Sequence, residues 1–214
     1  MSVIIINPNS TVQMTDAMLG AARHAVPDIP IEGWTSHKGP ASIQGAEDGT
    51  SATAPLLELV SRADAQGAKG IVIGCFDDTA LHQAAQIASC PVVGIGQAAY
   101  HYAALRGWRF SVITTLAVSV PILEQNIHDL GLHGYLGKVR ASDIPVLALH
   151  DGQANTEQRI VEEAKRAELE DGVEALILGC AGMVNLVTAV NTSTVLPVID
   201  PVIIAVACMK WLIG

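Results

Sequence analysis

The sequence contains few charged and few aromatic residues. Of its 214 residues, 15% are charged and 4% aromatic, whereas 50% are hydrophobic. This composition excludes an intrinsically disordered chain, because so much apolar surface can be buried in a core. The 12 Lys and Arg are outnumbered by 21 Asp and Glu, and they form no basic cluster. Nucleic acid and anionic membranes, which are attracted by positive charge, are therefore not expected as partners.

Long hydrophobic runs are also absent. No apolar stretch approaches the roughly 18–20 residues that span a bilayer. The amino end, MSVIIINPNS, has no basic region typical of a signal peptide and leads directly into a strand pattern. We therefore expect a cytoplasmic protein.

Cysteine is scarce, and its spacing excludes two common uses. The four cysteines stand at positions 75, 90, 180 and 208, and no two of them form a Cys-x-x-Cys pair. A structural zinc site or a disulfide framework is therefore not expected, and the thiols should be free. Cys90 precedes Pro91 at the start of a predicted strand and Cys208 lies in an apolar helical run, which favours a role as small core residues for both.

Motifs for cofactors and other nucleophiles are missing or weak. The sequence has no Gly-x-Ser-x-Gly elbow and no P-loop. Residues 94–99, GIGQAA, fit the dinucleotide pattern, but the next predicted strand ends in two threonines instead of an acidic residue. The histidines, including the loop residues His37, His133 and His150, lack zinc-ligand spacing. We expect neither a metal nor a cofactor.

Apolar runs alternate with helix-length segments rich in Ala, Leu, Glu and Gln. This alternation predicts an α/β fold with parallel sheets flanked by helices. The predicted strands are Val3–Ile6, Ile29–Gly33, Gly70–Ile73, Val92–Ile95, Phe110–Ile113, Val146–Leu149, Ala175–Leu178 and Val198–Ile199.

The chain contains an internal duplication. The segment GAKGIVIGC ends at Cys75, and a similar segment, GVEALILGC, ends at Cys180. The two cysteines are 105 residues apart. VIIIN at 3–7 parallels FSVIT at 110–114, and CPVV at 90–93 parallels LPVI at 196–199. A period this long is typical of two similar lobes related by an approximate twofold axis. We predict one lobe from residues 1–96 plus 201–214 and the other from 97–200.

The two Gly-Cys pairs mark the expected site. In parallel α/β sheets, ligands bind beyond the carboxyl ends of the strands, where Cys75 and Cys180 are predicted to lie. A helix that begins after each cysteine would lower the pKa of its thiol. Two thiols that face one cleft between the lobes could serve as an acid and a base.

Polar residues follow several of the same strands. Residues 9–11, Asn-Ser-Thr, and the pair Thr114 and Thr115 occupy corresponding turns of the two halves, where they could cap helices or contact a ligand. Asp77 and Asp78 could take part in acid–base chemistry or could be ordinary charges at a helix N-terminus. For Asp78 we favour the capping role.

These residues resemble the cofactor-independent aspartate/glutamate/hydantoin racemase superfamily, and within it the hydantoin and allantoin racemase branch. The similarity covers essentially the whole chain. The motifs that carry it are N-P-N-S-T-x-x-M-T at 7–15, G-P-A-S-I-x-G at 39–45, G-C-F-D-D at 74–78, S-V-I-T-T at 111–115, R-A-S-D-I-P-V-L at 140–147 and G-C-A-G-M at 179–183.

The resemblance implies two α/β lobes with the active site between them, and a proton acid–base pair formed by Cys75 and Cys180. It also implies a set of residues that hold substrate carbonyls and ring nitrogens or form the pocket walls. With the neighbouring loop included, the predicted binding residues are Asn9, Ser10, Ser42, Ile43, Phe76, Thr114, Thr115, Ala181, Gly182 and Met183.

The expected substrate is a small neutral cyclic amide, either a 5-substituted hydantoin or allantoin. Superfamily members that act on free amino acids resemble C-N-T and C-T-H at the two cysteines, and this sequence has C-F-D and C-A-G. A free amino acid also needs a cationic partner for its carboxylate, and the predicted strand ends carry no Arg.

Other functions stay open at this point. A maleate isomerase or an arylmalonate decarboxylase would use the same fold, although the decarboxylase needs only one cysteine. A non-catalytic two-lobe binding protein would keep both cysteines as core residues. We also expect a homo-oligomer, because apolar helices such as residues 203–212 leave room for a subunit interface.

Overall fold

The computed structural model describes residues 2–149 and 154–214. Short 3-10 helices at Ala117–Ser119, His133–Tyr135, Val146–Leu149 and Ala181–Leu186 supplement the longer elements. The strands are β1 (Val3–Asn7), β2 (Ile31–Thr35), β3 (Gly70–Ile73), β4 (Val92–Gly94), β5 (Phe110–Thr114), β6 (Leu136–Ala141), β7 (Ala175–Leu178) and β8 (Val198–Ile199). The helices are α1 (Val12–Ala25), α2 (Ala46–Ala65), α3 (Leu81–Ile87), α4 (Ile95–Leu105), α5 (Val120–Asp129), α6 (Ala154–Glu170), α7 (Val187–Ser193) and α8 (Pro201–Ile213).

The strands form two four-stranded parallel sheets of the same topology. The first sheet has the strand order β2-β1-β3-β4 and the second has the order β6-β5-β7-β8. The orders are therefore equivalent: β5 corresponds to β1, β6 to β2, β7 to β3 and β8 to β4. β1 and β5 begin 107 residues apart, and β3 and β7 begin 105 residues apart. The predicted α/β fold with two similar parallel sheets is confirmed.

Hydrophobic layers cover both faces of each sheet, as parallel sheets require. Side chains alternate along a strand, so Ile5 of β1 faces the interior between the two sheets, and its neighbours Ile4 and Ile6 face outward under α2 and α3. In the second half, the outward face of the sheet packs under α6 and α7. Tyr100 lies in the shared interior, stacked on Phe110 with ring centroids 5.8 Å apart.

One predicted strand is wrong. Val146–Leu149 is a 3-10 helix, and the edge strand of the second sheet beside β5 is β6, Leu136–Ala141. The sequence LGKVRA of β6 is not a continuous apolar run, because Lys138 and Arg140 interrupt it. Arg140 is nevertheless buried in the folded protein, since its Nε donates a 2.8 Å hydrogen bond to Asp171. This pairing neutralises the charge and allows the side chain to be buried.

The predicted lobe boundary at residues 96 and 97 falls inside α4, close to its start. The carboxyl-terminal helix α8 packs against α1, α4 and β3, which all precede it by about 100 residues or more. The division into lobes stays a prediction.

No helix among residues 2–149 and 154–214 is long and apolar enough to cross a membrane. His150, one of the three histidines predicted to lie in loops, is outside these ranges.

The glycines of the dinucleotide-like pattern have a structural explanation. Asp78 accepts hydrogen bonds from the backbone N–H groups of Gly96, at 3.0 Å, and Gln97, at 2.6 Å. A Cβ atom at Gly94 would lie 2.0 Å from the Asp78 carboxylate, and one at Gly96 would lie 2.5 Å from the carbonyl oxygen of Phe76. Asp78 is therefore a helix cap, as the sequence favours, but it caps α4 and not the helix that follows it.

Candidate active site

Cys75 and Cys180 occupy equivalent places in the two sheets. Each sheet has two central strands, and each cysteine follows the second of them along the chain, β3 or β7, after one glycine. The N–H group of Gly74 donates to the Ile6 carbonyl at 2.8 Å, and that of Gly179 donates to the Ile113 carbonyl at the same distance. The duplicated backbone thus carries both thiols past the carboxyl edges of the sheets.

A glycine is needed before each cysteine because neighbouring atoms leave no room for a side chain. A Cβ atom at Gly74 would lie 2.8 Å from the sulfur of Met18 on α1 and 3.2 Å from the Ile6 carbonyl oxygen of β1. At Gly179 it would lie 2.6 Å from a methyl group of Val112 and 3.1 Å from the Ile113 carbonyl oxygen. The repeated Gly-Cys pattern therefore follows from close packing against the adjacent central strand.

Both thiols receive hydrogen bonds from equivalent backbone groups. The N–H of Asp77 donates to the sulfur of Cys75, and the N–H of Gly182 donates to that of Cys180. Both donors stand two residues after their cysteine. Cys75 also accepts a hydrogen bond from Thr79 Oγ1 at 3.5 Å. These donors stabilise the thiolate form of either residue.

Burial nevertheless dominates the acidity of the two thiols. Burial raises the pKa of Cys180 to about 12, against the opposing hydrogen bond from Gly182. The pKa of Cys75 is raised further, first by burial and then by the negative charge of Asp77. The expectation of lowered thiol pKa values is thus wrong, because desolvation of the sulfur atoms outweighs the nearby N–H donors even though both cysteine residues are partly exposed. Each thiolate requires either opening of the cleft or a favourable contact with a ligand.

The two cysteines line a single narrow cavity between the sheets. Its volume is about 30 Å³, so a ring-shaped ligand can enter only if the walls move apart. The walls come from both halves of the chain and include the segments that follow β1, β3, β5 and β7. The lining residues are Asn9, Met14, Ile43, Gly74, Cys75, Phe76, Asp77, Thr114, Thr115, Ser119, Val146, Gly179, Cys180, Ala181 and Gly182.

Nine of the twelve predicted site residues lie in these walls: Cys75, Cys180, Asn9, Ile43, Phe76, Thr114, Thr115, Ala181 and Gly182. Three others do not line the cavity. Ser10 donates through its N–H and its hydroxyl to the Pro40 carbonyl, which fixes the 39–45 loop. Met183 is fully buried in the outer core of the second half, and Ser42 is buried within the loop.

Hydrogen bonds orient the polar side chains of the walls. Asn9 accepts at Oδ1 from the Asn7 side chain at 2.9 Å and from the Thr11 N–H at 3.0 Å. The hydroxyl of Thr114 donates to the Gly179 carbonyl at 3.2 Å. Residues of both halves are therefore held in place before any ligand arrives.

Sequence reasoning leaves the role of Asp77 undecided and does not identify Met14, Ser119 or Val146 as wall residues. Asp77 is partly exposed, but its Oδ2 atom is buried and has no hydrogen-bond partner among the described residues. Burial raises the pKa of Asp77 to about 7. The motif G-C-F-D-D signals an acid next to the cysteine, but only the folded chain shows that it lines the cavity.

The cavity offers no cation and no metal site in the part of the chain that the structure describes. Lys, Arg and His are missing from its walls. Within residues 2–149 and 154–214, no group of three or more His, Cys, Asp or Glu side chains is arranged so that it could hold a metal ion. The chemistry available from these walls is thiol proton transfer, with amide, hydroxyl and backbone groups as hydrogen-bonding partners.

Comparison with known proteins relates the whole chain to one family. A family model described as Asp/Glu/Hydantoin racemase matches residues 3–209. A hydantoin racemase from Rhizobium meliloti is 42% identical over 217 residues, which cover 100% of this chain and 89% of that protein. A hydantoin racemase from Paenarthrobacter aurescens is 33% identical over 208 residues, which cover 94% of this chain and 86% of that protein.

Solved structures give the same relationship. An allantoin racemase from Klebsiella pneumoniae has a TM-score of 0.93 at 36% identity, covering 100% of this chain and 87% of that one. An allantoin racemase from Pseudomonas fluorescens has a TM-score of 0.94 at 30% identity, covering 100% of this chain and 91% of that one. A glutamate racemase from Francisella tularensis, at 15% identity and a TM-score of 0.72, shares the fold.

Proposed function

The chain belongs to the Asp/Glu/hydantoin racemase family, and from this premise we propose that it is a cofactor-independent racemase of 5-substituted hydantoins or allantoin. The observation that carries the proposal is the pair of thiols, Cys75 and Cys180, that line one cavity from the two halves of a duplicated fold. Hydantoin racemases that are 42% and 33% identical over nearly the whole chain support the choice of substrate class.

In the proposed reaction, the thiolate of one cysteine removes the proton from carbon 5 of the ring. The electrons of that C–H bond pass into the adjacent carbonyl and form an enolate. The thiol of the opposite cysteine then gives its proton to the other face of carbon 5, which restores the C–H bond with inverted configuration. The two cysteines have exchanged protonation states, so the enzyme is ready for the opposite enantiomer.

The backbone donors of the site support this exchange. The N–H groups of Asp77 and Gly182 stabilise each thiolate in turn, which is what a reaction that alternates between two bases needs. The side chains of Asn9 and Thr115 line the same cavity and can donate to the carbonyl oxygen on which enolate charge develops. The hydroxyl of Thr114 is already used, since it donates to the Gly179 carbonyl.

A neutral substrate fits the charges of the cavity better than a free amino acid does. The carboxylate of glutamate or aspartate would enter a site whose described walls contain a carboxyl group and no cation. A cyclic amide has no such charge, and its carbon-bound proton is more acidic because a ring carbonyl is adjacent. We therefore propose that free glutamate and aspartate are not substrates.

Polarimetry of the pure protein with single enantiomers tests the proposal. L-Allantoin and L-5-benzylhydantoin should be compared under identical conditions, with L-glutamate and L-aspartate as controls. Loss of optical rotation toward zero for at least one of the two cyclic amides is expected. A stable rotation for both would contradict the proposed activity, and racemisation of either amino acid would contradict the substrate class.

Two further features belong to this proposal. We propose that the enzyme acts in the cytoplasm. We also propose that it forms a homo-oligomer, in which a second copy of the chain covers the face formed by α4 and α8. On that face, Leu105 and Trp211 are 86% and 79% exposed, and neighbouring apolar side chains of this size are typical of protein–protein interfaces. Light scattering during gel filtration should give a multiple of the 22.4 kDa chain mass, and a monomer would contradict this.

A further inference from the structure

Asp77 stands apart from the other polar residues of the cavity. It is the one carboxyl group in the walls as far as the chain is described. Its Oδ2 atom is buried without a partner, although its backbone carbonyl accepts a 2.9 Å hydrogen bond from the Asn126 side chain on α5. A buried acceptor without a donor is costly unless a ligand supplies the missing hydrogen bond.

The groups around Asp77 do not compensate its charge. The titratable neighbours are Cys75 and Cys180 in the cavity, with Asp78 and Tyr100 behind them. All four are neutral or negative. An ionised Asp77 therefore places uncompensated negative charge beside a cavity of about 30 Å³, where little water can screen its repulsion of another anion.

We propose that Asp77 is a specificity-determining residue whose carboxylate excludes anions from the cavity and so selects the ring-closed substrate over its ring-opened acid. The inference rests on the proposed function. Hydrolysis of a hydantoin ring gives an N-carbamoyl amino acid, which has the same substituent and the same stereocentre. The two compounds differ by one water molecule, and the acid carries a carboxylate where the ring has a neutral amide.

Charge separates these two ligands more effectively than shape does. Both place the same side chain beside the reacting carbon, so an apolar wall such as Phe76 or Ile43 contacts them alike. Once the cavity walls move apart to admit the ring, Asp77 can accept a hydrogen bond from a ring N–H through its unpartnered Oδ2. It repels the carboxylate of the open acid. The discrimination thus protects the enzyme from occupation by a hydrolysis product of its own substrate.

Binding of two non-reacting ligands tests the inference without turnover. 5,5-Dimethylhydantoin and its hydrolysis product, N-carbamoyl-2-aminoisobutyric acid, have no hydrogen on the reacting carbon. Their dissociation constants can be measured by calorimetry at pH 8 for the wild type, for Asp77→Asn and for Asp16→Asn. Asp16 is exposed on α1, so its variant removes the same formal charge away from the cavity.

We expect the wild type and Asp16→Asn to bind the hydantoin at least 100-fold more tightly than the acid. In Asp77→Asn the ratio should fall at least tenfold, mainly because the acid binds more tightly. An unchanged ratio, or a fall caused only by weaker binding of the hydantoin, would overturn the inference. Polarimetry tests the racemase activity separately, so failure of one proposal is distinguishable from failure of the other.

A pH series on the wild type gives the same test without a substitution, in case Asp77→Asn does not fold. Since burial raises the pKa of Asp77 to about 7, the preference for the hydantoin should weaken as the pH falls from 8 to 6. The acid ligand stays ionised over this range, so the change comes from the protein. The raised pKa of Asp78, about 8, lies close to that of Asp77, but of these two acids only Asp77 lines the cavity. A preference that is constant between pH 6 and pH 8 would overturn the inference.

Discussion

The side chain of Gln44 accepts a 2.8 Å hydrogen bond at Oε1 from the backbone N–H of Val146. The two residues are 102 positions apart and come from different halves of the duplicated chain. Their neighbour Ile43 and Val146 itself line the cavity. This hydrogen bond therefore joins two segments of the cavity wall, and it helps to keep the cleft narrow.

Replacing Gln44 by Ala should weaken this closure. Water then reaches the cavity more often, so the thiol pKa values fall and alkylation of Cys75 and Cys180 by iodoacetamide at pH 8 should be at least several-fold faster. Mass spectrometry of the labelled peptides measures the rate at each cysteine. Gln13, which is exposed on α1, provides the control Gln13→Ala, and equal rates in the two variants would contradict the role of Gln44.

Close packing at the Gly-Cys pairs predicts a stability effect. Gly179→Ala places a Cβ atom 2.6 Å from Val112, and relief of that clash should cost about 1–3 kcal/mol of unfolding free energy. A Cβ atom at Gly20, in α1, would have no neighbouring atom within 4 Å, so Gly20→Ala should stabilise the protein by up to about 1 kcal/mol. Urea denaturation measures both, and a stable Gly179→Ala would show that this close packing is not required.

The buried acids predict how stability depends on pH. Burial raises the pKa of Asp77 to about 7 and that of Asp78 to about 8, from an ordinary value of 3.8. The stability that they contribute is fully present below pH 3.8 and is lost as the pH rises through about 7 and 8. The melting temperature should therefore fall between pH 5 and pH 8.5.

Asp77→Asn should make this pH dependence shallower, because one of the two acids no longer titrates. Asp16→Asn should follow the wild type. Acids whose pKa is lowered, such as Asp171 beside Arg140, lose their contribution only at more acidic pH and do not obscure this range. A melting temperature that rises from pH 5 to pH 8.5 would contradict burial of ionisable Asp77 and Asp78.

Much of the fold is predictable because the central strands are buried on both faces. Such strands appear in the sequence as continuous apolar runs, and this pattern identifies β1, β3, β5 and β7. The edge strand β6 escapes prediction, since Lys138 and Arg140 interrupt its apolar pattern and the partner that neutralises Arg140 lies 31 residues away. The internal repeat does indicate a strand here, because a segment that begins 105 residues after the start of β2 begins where β6 begins.

The cavity is only partly predictable for a similar reason. The positions of Cys75, Cys180, Thr114 and Thr115 follow from the rule that ligands bind at the carboxyl ends of parallel strands. The environment of the thiols depends on contacts between distant segments, such as the one from Gln44 to Val146, which the sequence does not reveal. The predicted direction of the thiol pKa shifts is therefore wrong.

The two-thiol mechanism makes a distinct prediction for each cysteine. Because a serine hydroxyl is far too weak an acid to ionise near neutral pH, Cys75→Ser and Cys180→Ser should each reduce racemisation by several orders of magnitude. Each variant still has one thiol on one face of the substrate. Cys90→Ser and Cys208→Ser, which alter thiols outside the cavity walls, should keep activity near that of the wild type.

Proton NMR of each pure hydantoin enantiomer in D₂O, with each active-cysteine variant, tests this mechanism most directly. One variant should exchange the carbon-bound proton of only the L-enantiomer, and the other that of only the D-enantiomer, in both cases without a change in optical rotation. Equal exchange of both enantiomers by both variants, or normal racemisation by either, would contradict a mechanism that uses opposed thiols.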